Sequence, residues 1–405
     1  MPPIRSSACE GEACQPTIPL AFQAFRENLV VQGFFRRKPT RSILEIFAFV
    51  TVTALGIALV VASDWPLVKI LGLALVTLGS LGVSTRAHTA SHNAISNRAW
   101  VNRALTYFGF PFFLQVSATY WRHKHLVVHH PYPNVAGVDD DVDLKPFFAM
   151  TSHELVMAKS WLQTLYRFQV AYLPLILIGN AFNVVRCGWK FLATKLLDQH
   201  ARRGEHWVDL GALMLHYGAW VGLPMLFLAP TDVLTFNLLR FALLSYGMFV
   251  IFAPAHFPAE ALMIEADPGR DFVATQTLTT VNYRTGWLGG LVCGGLEYQI
   301  EHHLLPAISP THYPRLSALV REYCETHGYP YRCLGWWEAL EKSLLSFVHL
   351  KPIHAVVAAA TPEKCPPESS PARESEAPPC CGCRELAEGA QRLEAPEGPG
   401  ALKDR

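Results

Sequence analysis

Three short clusters of histidine are the residues of this chain best placed to do chemistry. The densest is Trp121-Arg122-His123-Lys124-His125-Leu126-Val127-Val128-His129-His130. On an α-helix, His125 and His129 stand one above the other, and His130 lies one step around the same side. Three imidazoles then reach one small volume. His88-Thr-Ala-Ser-His92 upstream and Gln299-Ile-Glu-His302-His303 far downstream echo the pattern, so the three boxes hold seven of the 17 histidines. Neutral imidazole binds iron, zinc, copper and nickel. Counting His256, in Ala255-His256-Phe257, eight imidazoles are available. A structural zinc takes four ligands and a catalytic one three plus water, so eight divide naturally between two metals with open positions. His123 points about 160° away from His125 on a helix and reads as exposed or supporting.

Other chemistries lack their signatures. The chain contains no Glu-x-x-His of the soluble helix-bundle di-iron proteins. It has no His-Glu-x-x-His, no G-x-S-x-G elbow, no phosphate-cradling loop and no dinucleotide fingerprint. A net charge of +1 without a basic, aromatic-interleaved patch excludes a nucleic-acid partner. The ten cysteines lack the spacing of a disulfide framework and read as free thiols. Cys380-Cys381-Gly-Cys383 reads as thiols in a floppy tail, with lipidation or metal binding as alternatives.

The elements that must position the boxes are apolar. With 51% hydrophobic and 17% charged residues and a positive mean hydropathy, the 405-residue chain reads as a membrane protein. Spans are expected at about 43–62, 66–84, 210–228 and 233–252, paired into hairpins by Ser63-Asp64-Trp65 and Ala229-Pro-Thr-Asp232. At 1.5 Å per residue, about 20 residues cross about 30 Å of hydrocarbon, so the second helix leaves the apolar layer near Thr85. His88 and His92 then lie outside the lipid. Residues 97–120, broken by Pro111, are expected to lie in the interface, and 150–206 to form a helix pair on the membrane. His216 and Arg240 fall within spans, where interhelical hydrogen bonding or snorkelling is the plain reading. The basic run Arg36-Arg37-Lys38 reads as a membrane-surface anchor. Arg186 to Arg203 would meet anionic lipid as the simpler partner, with the phosphates of a coenzyme or carrier as the alternative. The inter-helix turns carry no Lys or Arg, whereas the N-terminal segment and residues 85–206 are rich in both. That places all three boxes and both termini in the cytoplasm.

The expected fold is an all-α membrane protein. Four transmembrane helices in two hairpins carry interfacial helices and a cytosolic helical cap holding the histidine site. Its parts are a polar N-terminal segment without a secretory signal (1–40), the main domain (41–350) and a Pro/Glu/Ala/Ser-rich tail expected to be disordered (356–405). Two amphipathic helices are expected over 310–350, around Gly328-Tyr-Pro-Tyr-Arg332.

HxxxH, HxxxHH and QxxHH in this order, between hydrophobic hairpins, resemble the integral-membrane fatty acid desaturases. The likeness runs from about residue 40 to 350 and includes Asn134-x-x-Gly137-x-Asp139-x-Asp141 and Gln299-Ile-Glu-His-His-Leu-Leu-Pro306. Gln299 heading the third box is similar to front-end desaturases and to bacterial acyl-CoA and acyl-lipid desaturases. The resemblance implies two ferrous ions and O₂ as co-substrate, with no catalytic group beyond the metal ligands. It maps the ligands onto His88, His92, His125, His129, His130, His302 and His303, with His256 as an extra one. Gln299 stands where many members have histidine: it binds a metal weakly, holds a water or orients a neighbour. Asp139 and Asp141 either hydrogen-bond ligand imidazoles, receive a substrate head group or form a solvated turn. Tyr120, Trp121 and Trp287 line an acyl channel or anchor at the interface.

The implied reaction is O₂-dependent desaturation of a long-chain acyl group carried by coenzyme A, carrier protein or lipid. No histidine is followed by Pro-Gly-Gly, the mark of a fused cytochrome b5 domain, so the expected electron donor is a separate ferredoxin or cytochrome b5. The expected location is a bacterial inner membrane or endoplasmic reticulum. A hydroxylase or acetylenase on the same scaffold is the alternative within the class. A membrane metal transporter or zinc-binding receptor is the alternative outside it, and would want ligands at mid-membrane depth.

Overall fold

The computed structural model describes residues 16–267 and 269–355. Cys380, Cys381, Cys383 and the expected disordered tail lie outside the described residues. A short helix, α1 (Leu20–Val31), precedes two long ones, α2 (Pro39–Ala62) and α3 (Pro66–Ser91). Each long helix begins with proline in its first turn, where the missing N–H costs nothing. The turn between them is Ser63-Asp64-Trp65, as its polarity predicts. The hairpin packs through small residues: a Cβ on Gly56 would come within 2.5 Å of the Gly72 carbonyl oxygen, and one on Gly72 within 2.7 Å of Gly56 O. Backbones this close need glycine at both positions.

Next comes α4 (Ala99–Tyr107), which widens into π-helix over Phe108–Phe113 around Pro111. Phe110 and Phe113 are buried, so this stretch packs into the bundle against α3. Then α5 (Ala118–Arg122) widens into a second π-helical segment, His123–His129. Four helices follow: α6 (Ser152–Met157), α7 (Ser160–Tyr166), α8 (Gln169–Leu177) and α9 (Asn180–Leu197). A run made of α10 (Gly204–Tyr217), a π turn (Gly218–Gly222) and α11 (Leu223–Met225) leads to α12 (Pro230–His256).

Among the described residues, α2, α3 and α12 are long and apolar enough to cross a membrane. The pair α8 and α9, bent by 61° at its break, passes the same test when taken together. The stretch expected to span at 210–228 lies in the α10–α11 run, where π geometry interrupts the α-helix at Gly218–Gly222. His216 and Arg240 make the interhelical bonds expected of them. His216 Nδ1 lies 2.6 Å from Phe112 O, and Arg240 Nη2 donates to Phe113 O at 3.2 Å. Both satisfy carbonyls that the π-helix around Pro111 leaves open.

The cap comprises α13 (Phe272–Thr279), α14 (Trp287–Cys293), α15 (Gln299–Leu304), α16 (Tyr313–His327) and α17 (Trp336–Leu345). The last two fall on either side of Gly328, which ends α16 with a left-handed φ of 75°. Phe22, Leu29 and Phe34 pack with Val273, Ile300 and Leu316 in one core, joining α1 to α13, α15 and α16. Sequence periodicity did not predict two small parallel strand pairs. β1 (Met263–Ile264) pairs with β4 (Ile353–His354), and β2 (Asn282–Arg284) with β3 (Cys333–Gly335). Strands of two or three residues are too short for any alternation to register.

Candidate metal centre

All eight histidines singled out above converge where α3, α5, α12 and α15 end, and each is buried. They sort into two adjoining groups. In the larger, ring nitrogens of His88, His92, His125, His130 and His302 all lie within 4.8 Å of one another. His125 Nε2 is the hub, 2.7 Å from His88 Nε2, 3.0 Å from His92 Nε2 and 3.1 Å from His130 Nε2. His130 Nε2 is also 3.1 Å from His302 Nε2. The smaller group joins His129, His256 and His303. The His130 and His303 rings stack at 4.4 Å, so the groups share a wall.

Local backbone explains the sorting. His88 and His92 occupy one face of the last α-helical turn of α3, with His92 as the cap, and both serve the larger group. The second box departs from the α-helical expectation. His130 N donates to His125 O at 3.0 Å, a π-type bond across five residues. His125 and His130 are therefore the pair that reaches one group, while His129 turns to the other. The adjacent residues His302 and His303 on α15 also diverge, one to each group.

Direct bonds fix several rings from behind. Asp139 lies 3.0 Å from His129 Nδ1 and accepts from Asn134 N at 2.9 Å. Asp141 pairs with Lys124 and reaches His129 Nδ1 at 3.3 Å. Gln276, which sequence reasoning missed, faces His303 Nδ1 with Oε1 at 2.9 Å and donates from Nε2 to His130 O at 3.0 Å. It thus braces one member of each group. Asn282 was also missed: it donates to buried Glu301 at 2.8 Å and accepts from Ile300 N at 2.8 Å, locking α15 in place. The Gln299 amide lies 2.8 Å from His256 Nε2, and its carbonyl oxygen is buried without a partner. No local sequence pattern marks Gln276 or Asn282, because each acts across the fold.

The donor set fits bound cations. A neutral imidazole carries one N–H, so five converging Nε2 atoms cannot all pair with one another. His303 Nε2 is buried with no partner at all, a costly arrangement unless a cation takes the lone pair. Burial, reinforced by neighbouring imidazoles, holds His125, His130, His302 and His303 below the ordinary imidazole pKa and hence in the neutral ligand form. Burial opposes protonation of His129 too, but Asp139 and Asp141 outweigh it and raise its pKa.

The remaining expected site residues are divided. Trp121 stacks on His125 at 5.0 Å and lines an apolar slot that opens on His88. Tyr120 packs at 5.9 Å from Phe191, away from that slot. Trp287 is 83% exposed at the start of α14, so it does not line the slot; a first-turn residue on an open helix end has nothing to enclose it. His123 is exposed and stacks on Phe191 at 5.3 Å.

The fatty acid desaturase family profile matches residues 63–335, a stretch that holds all eight histidines. The chain belongs to the fatty acid desaturase family. It is similar to the Delta(8)-fatty-acid desaturase of Euglena gracilis, with 28% identity over 77% of this chain and 74% of that one. It also resembles the Delta(5) fatty acid desaturase of Caenorhabditis elegans, at 27% over 68% of this chain and 62% of the relative. A third relative is the sn-1 linoleoyl-lipid 6-desaturase of a Synechocystis strain, at 27% over 67% and 77%. These relatives are named as desaturases, so the chain is an oxidoreductase of that family, and its long apolar helices fit a membrane protein.

Proposed function

We propose that this desaturase-family chain introduces a double bond into a long-chain acyl group, using O₂, two ferrous ions and electrons from a separate ferredoxin or cytochrome b5. The observation that carries this reading is the pair of adjoining imidazole groups beside an apolar slot. His88, His92, His125, His130 and His302 would hold one iron; His129, His256 and His303 would hold the other. The Gln299 amide, turned end for end, would offer the second iron its carbonyl oxygen. When bound, the irons supply dioxygen chemistry: O₂, two electrons and two protons remove the hydrogens of two adjacent methylenes, leaving a double bond and two waters.

The chain's own residues do the rest. Leu81, Phe110, Leu114, Leu244, Met248 and Phe252 line the slot, with His88 at its end. They exclude water and hold one CH₂–CH₂ unit against the histidines, where orientation rather than acid–base strength decides the outcome. Trp121, held between the Phe110 ring at 4.6 Å and His125, fixes the wall nearest the reacting carbons. Asp139 and Gln276 set which nitrogen of His129 and His303 faces inward.

The names of the relatives, among them the sn-1 linoleoyl-lipid 6-desaturase, support an acyl chain attacked near its carboxyl end and carried on a lipid. The charge asymmetry of the turns supports a metal site and termini in the cytoplasm. The family match over residues 63–335 supports a main domain over 41–350.

The test is lipid profiling by mass spectrometry in a host expressing the chain, together with metal analysis of the purified protein. Loss of two hydrogens from a host acyl chain, with about two irons per chain, is the expected result. Gain of oxygen would favour a hydroxylase. One zinc per chain with unchanged lipids would overturn the reading.

A further inference from the structure

A groove of about 710 Å³ opens at the start of α2, lined by none of the eight histidines. Arg37, Lys38 and Arg41 form its rim, and Leu44 and Ala48, one and two turns further along α2, form its floor. Glu45 also lines it, but that carboxylate is already answered. Arg41 Nε donates to Glu45 Oε1 at 2.9 Å, and Arg86 donates from Nε and Nη2 to Oε2 at 3.1 and 3.0 Å. Arg86 is 4% exposed and reaches Glu45 from α3, behind the groove. Arg37 donates to Ala307 O, which fixes the rim against the cap. Arg41 and Arg86 therefore already answer the one carboxylate, and the charges of Arg37 and Lys38 are left over at the mouth.

We propose that this groove binds the phosphate of an anionic phospholipid from the surrounding bilayer. Three independent features agree. The rim carries the charge that a phosphate needs, and its arginines can grip two oxygens at once. The 24-residue α2 starts at Pro39 without a side-chain cap, and Pro39 and Thr40 line the same groove, so the positive end of the helix lies beside it. The floor then turns apolar in the direction in which α2 enters the hydrocarbon, with Ile43, Leu44 and Phe47 exposed alongside. A free phosphate would use the rim only. A phospholipid uses both, with its head group on the basic residues and its chains along Leu44 and Ala48. The inference does not rest on the proposed reaction.

The test is native mass spectrometry of the full chain released from mixed micelles. The probes are phosphatidylglycerol and phosphatidylcholine with identical acyl chains. The wild type is expected to retain phosphatidylglycerol preferentially, by on the order of tenfold or more. Lys38→Gln with Arg41→Gln is expected to abolish that preference. Arg37 is left in place because it also braces the cap. Unchanged circular dichroism and metal content would show that the double variant is folded. Leu44→Gln should weaken retention of phosphatidylglycerol and leave inorganic phosphate without effect as a competitor. Equal retention of the two lipids by the wild type, or a preference that survives in the double variant, would overturn the proposal. Competition by millimolar inorganic phosphate as strong as that by the lipid would overturn the lipid assignment in favour of a free-phosphate site.

Discussion

His125 Nε2 stands within 3.1 Å of three other imidazole nitrogens, more neighbours than any other ring in the cluster has at that range. Its removal should cost more than one ligand's share. His125→Ala is expected to bring bound metal from about two ions per chain to below one and to abolish desaturation, at unchanged expression. Elemental analysis beside product analysis would check this. Gln276→Ala leaves every histidine in place but frees the His303 ring and the His130 backbone. A loss of about 10–100-fold in metal affinity is expected, as for other groups that orient a ligand, read by competition with a chelator. Acidity acts on the same rings. His125, His130, His302 and His303 refuse, in the folded interior, protons that they accept in the unfolded chain. The metal-free protein should therefore keep its stability above about pH 6.5 and lose it as the pH falls below that value. His129 works in the opposite sense: its raised pKa adds stability below about pH 6.5 that is lost as the pH climbs through the raised value. Four rings outweigh one, so thermal unfolding of the metal-free chain should shift downward on acidification.

At the scale of elements, α5 and its π extension deliver the second box, and Asp209 holds their start. This buried carboxylate on α10 accepts from Ser117 Oγ at 2.7 Å, Ala118 N at 3.0 Å and Thr119 N at 2.9 Å. Asp209→Ala leaves those donors buried without an acceptor. It should destabilise the protein by about 3 kcal/mol and lower metal content in parallel, measured by thermal shift and elemental analysis. The sequence made the boxes legible because ligand chemistry restricts residue type and spacing at short range. It made α2, α3, α12, α16 and α17 legible because long apolar or amphipathic runs with proline and glycine at their ends leave few options. The π geometry of His123–His129 was not legible: α- and π-helix use the same residue types and differ by one residue per turn. Nor were Asp209, Gln276 and Asn282, whose partners lie 90, 27 and 19 residues away.

At the scale of the whole molecule, the paired helices put all eight candidate ligand histidines at one end of the bundle. The turns Ser63-Asp64-Trp65 and Ala229-Pro230 mark the other end. If the basic segments face the cytoplasm, Asp64→Cys and Asp232→Cys should react with an impermeant thiol reagent added outside, and Arg98→Cys only after permeabilisation. Labelling of all three from the same side would contradict the orientation.

The two histidine dipeptides, 129–130 and 302–303, each send one ring to either side of the shared wall. Peptide bonds thereby yoke the two half-sites, so an ion that orders one half pulls the other into shape. Filling should be all or nothing. Stepwise addition of ferrous iron to the stripped protein would then yield empty and fully loaded molecules, with the singly loaded form scarce throughout.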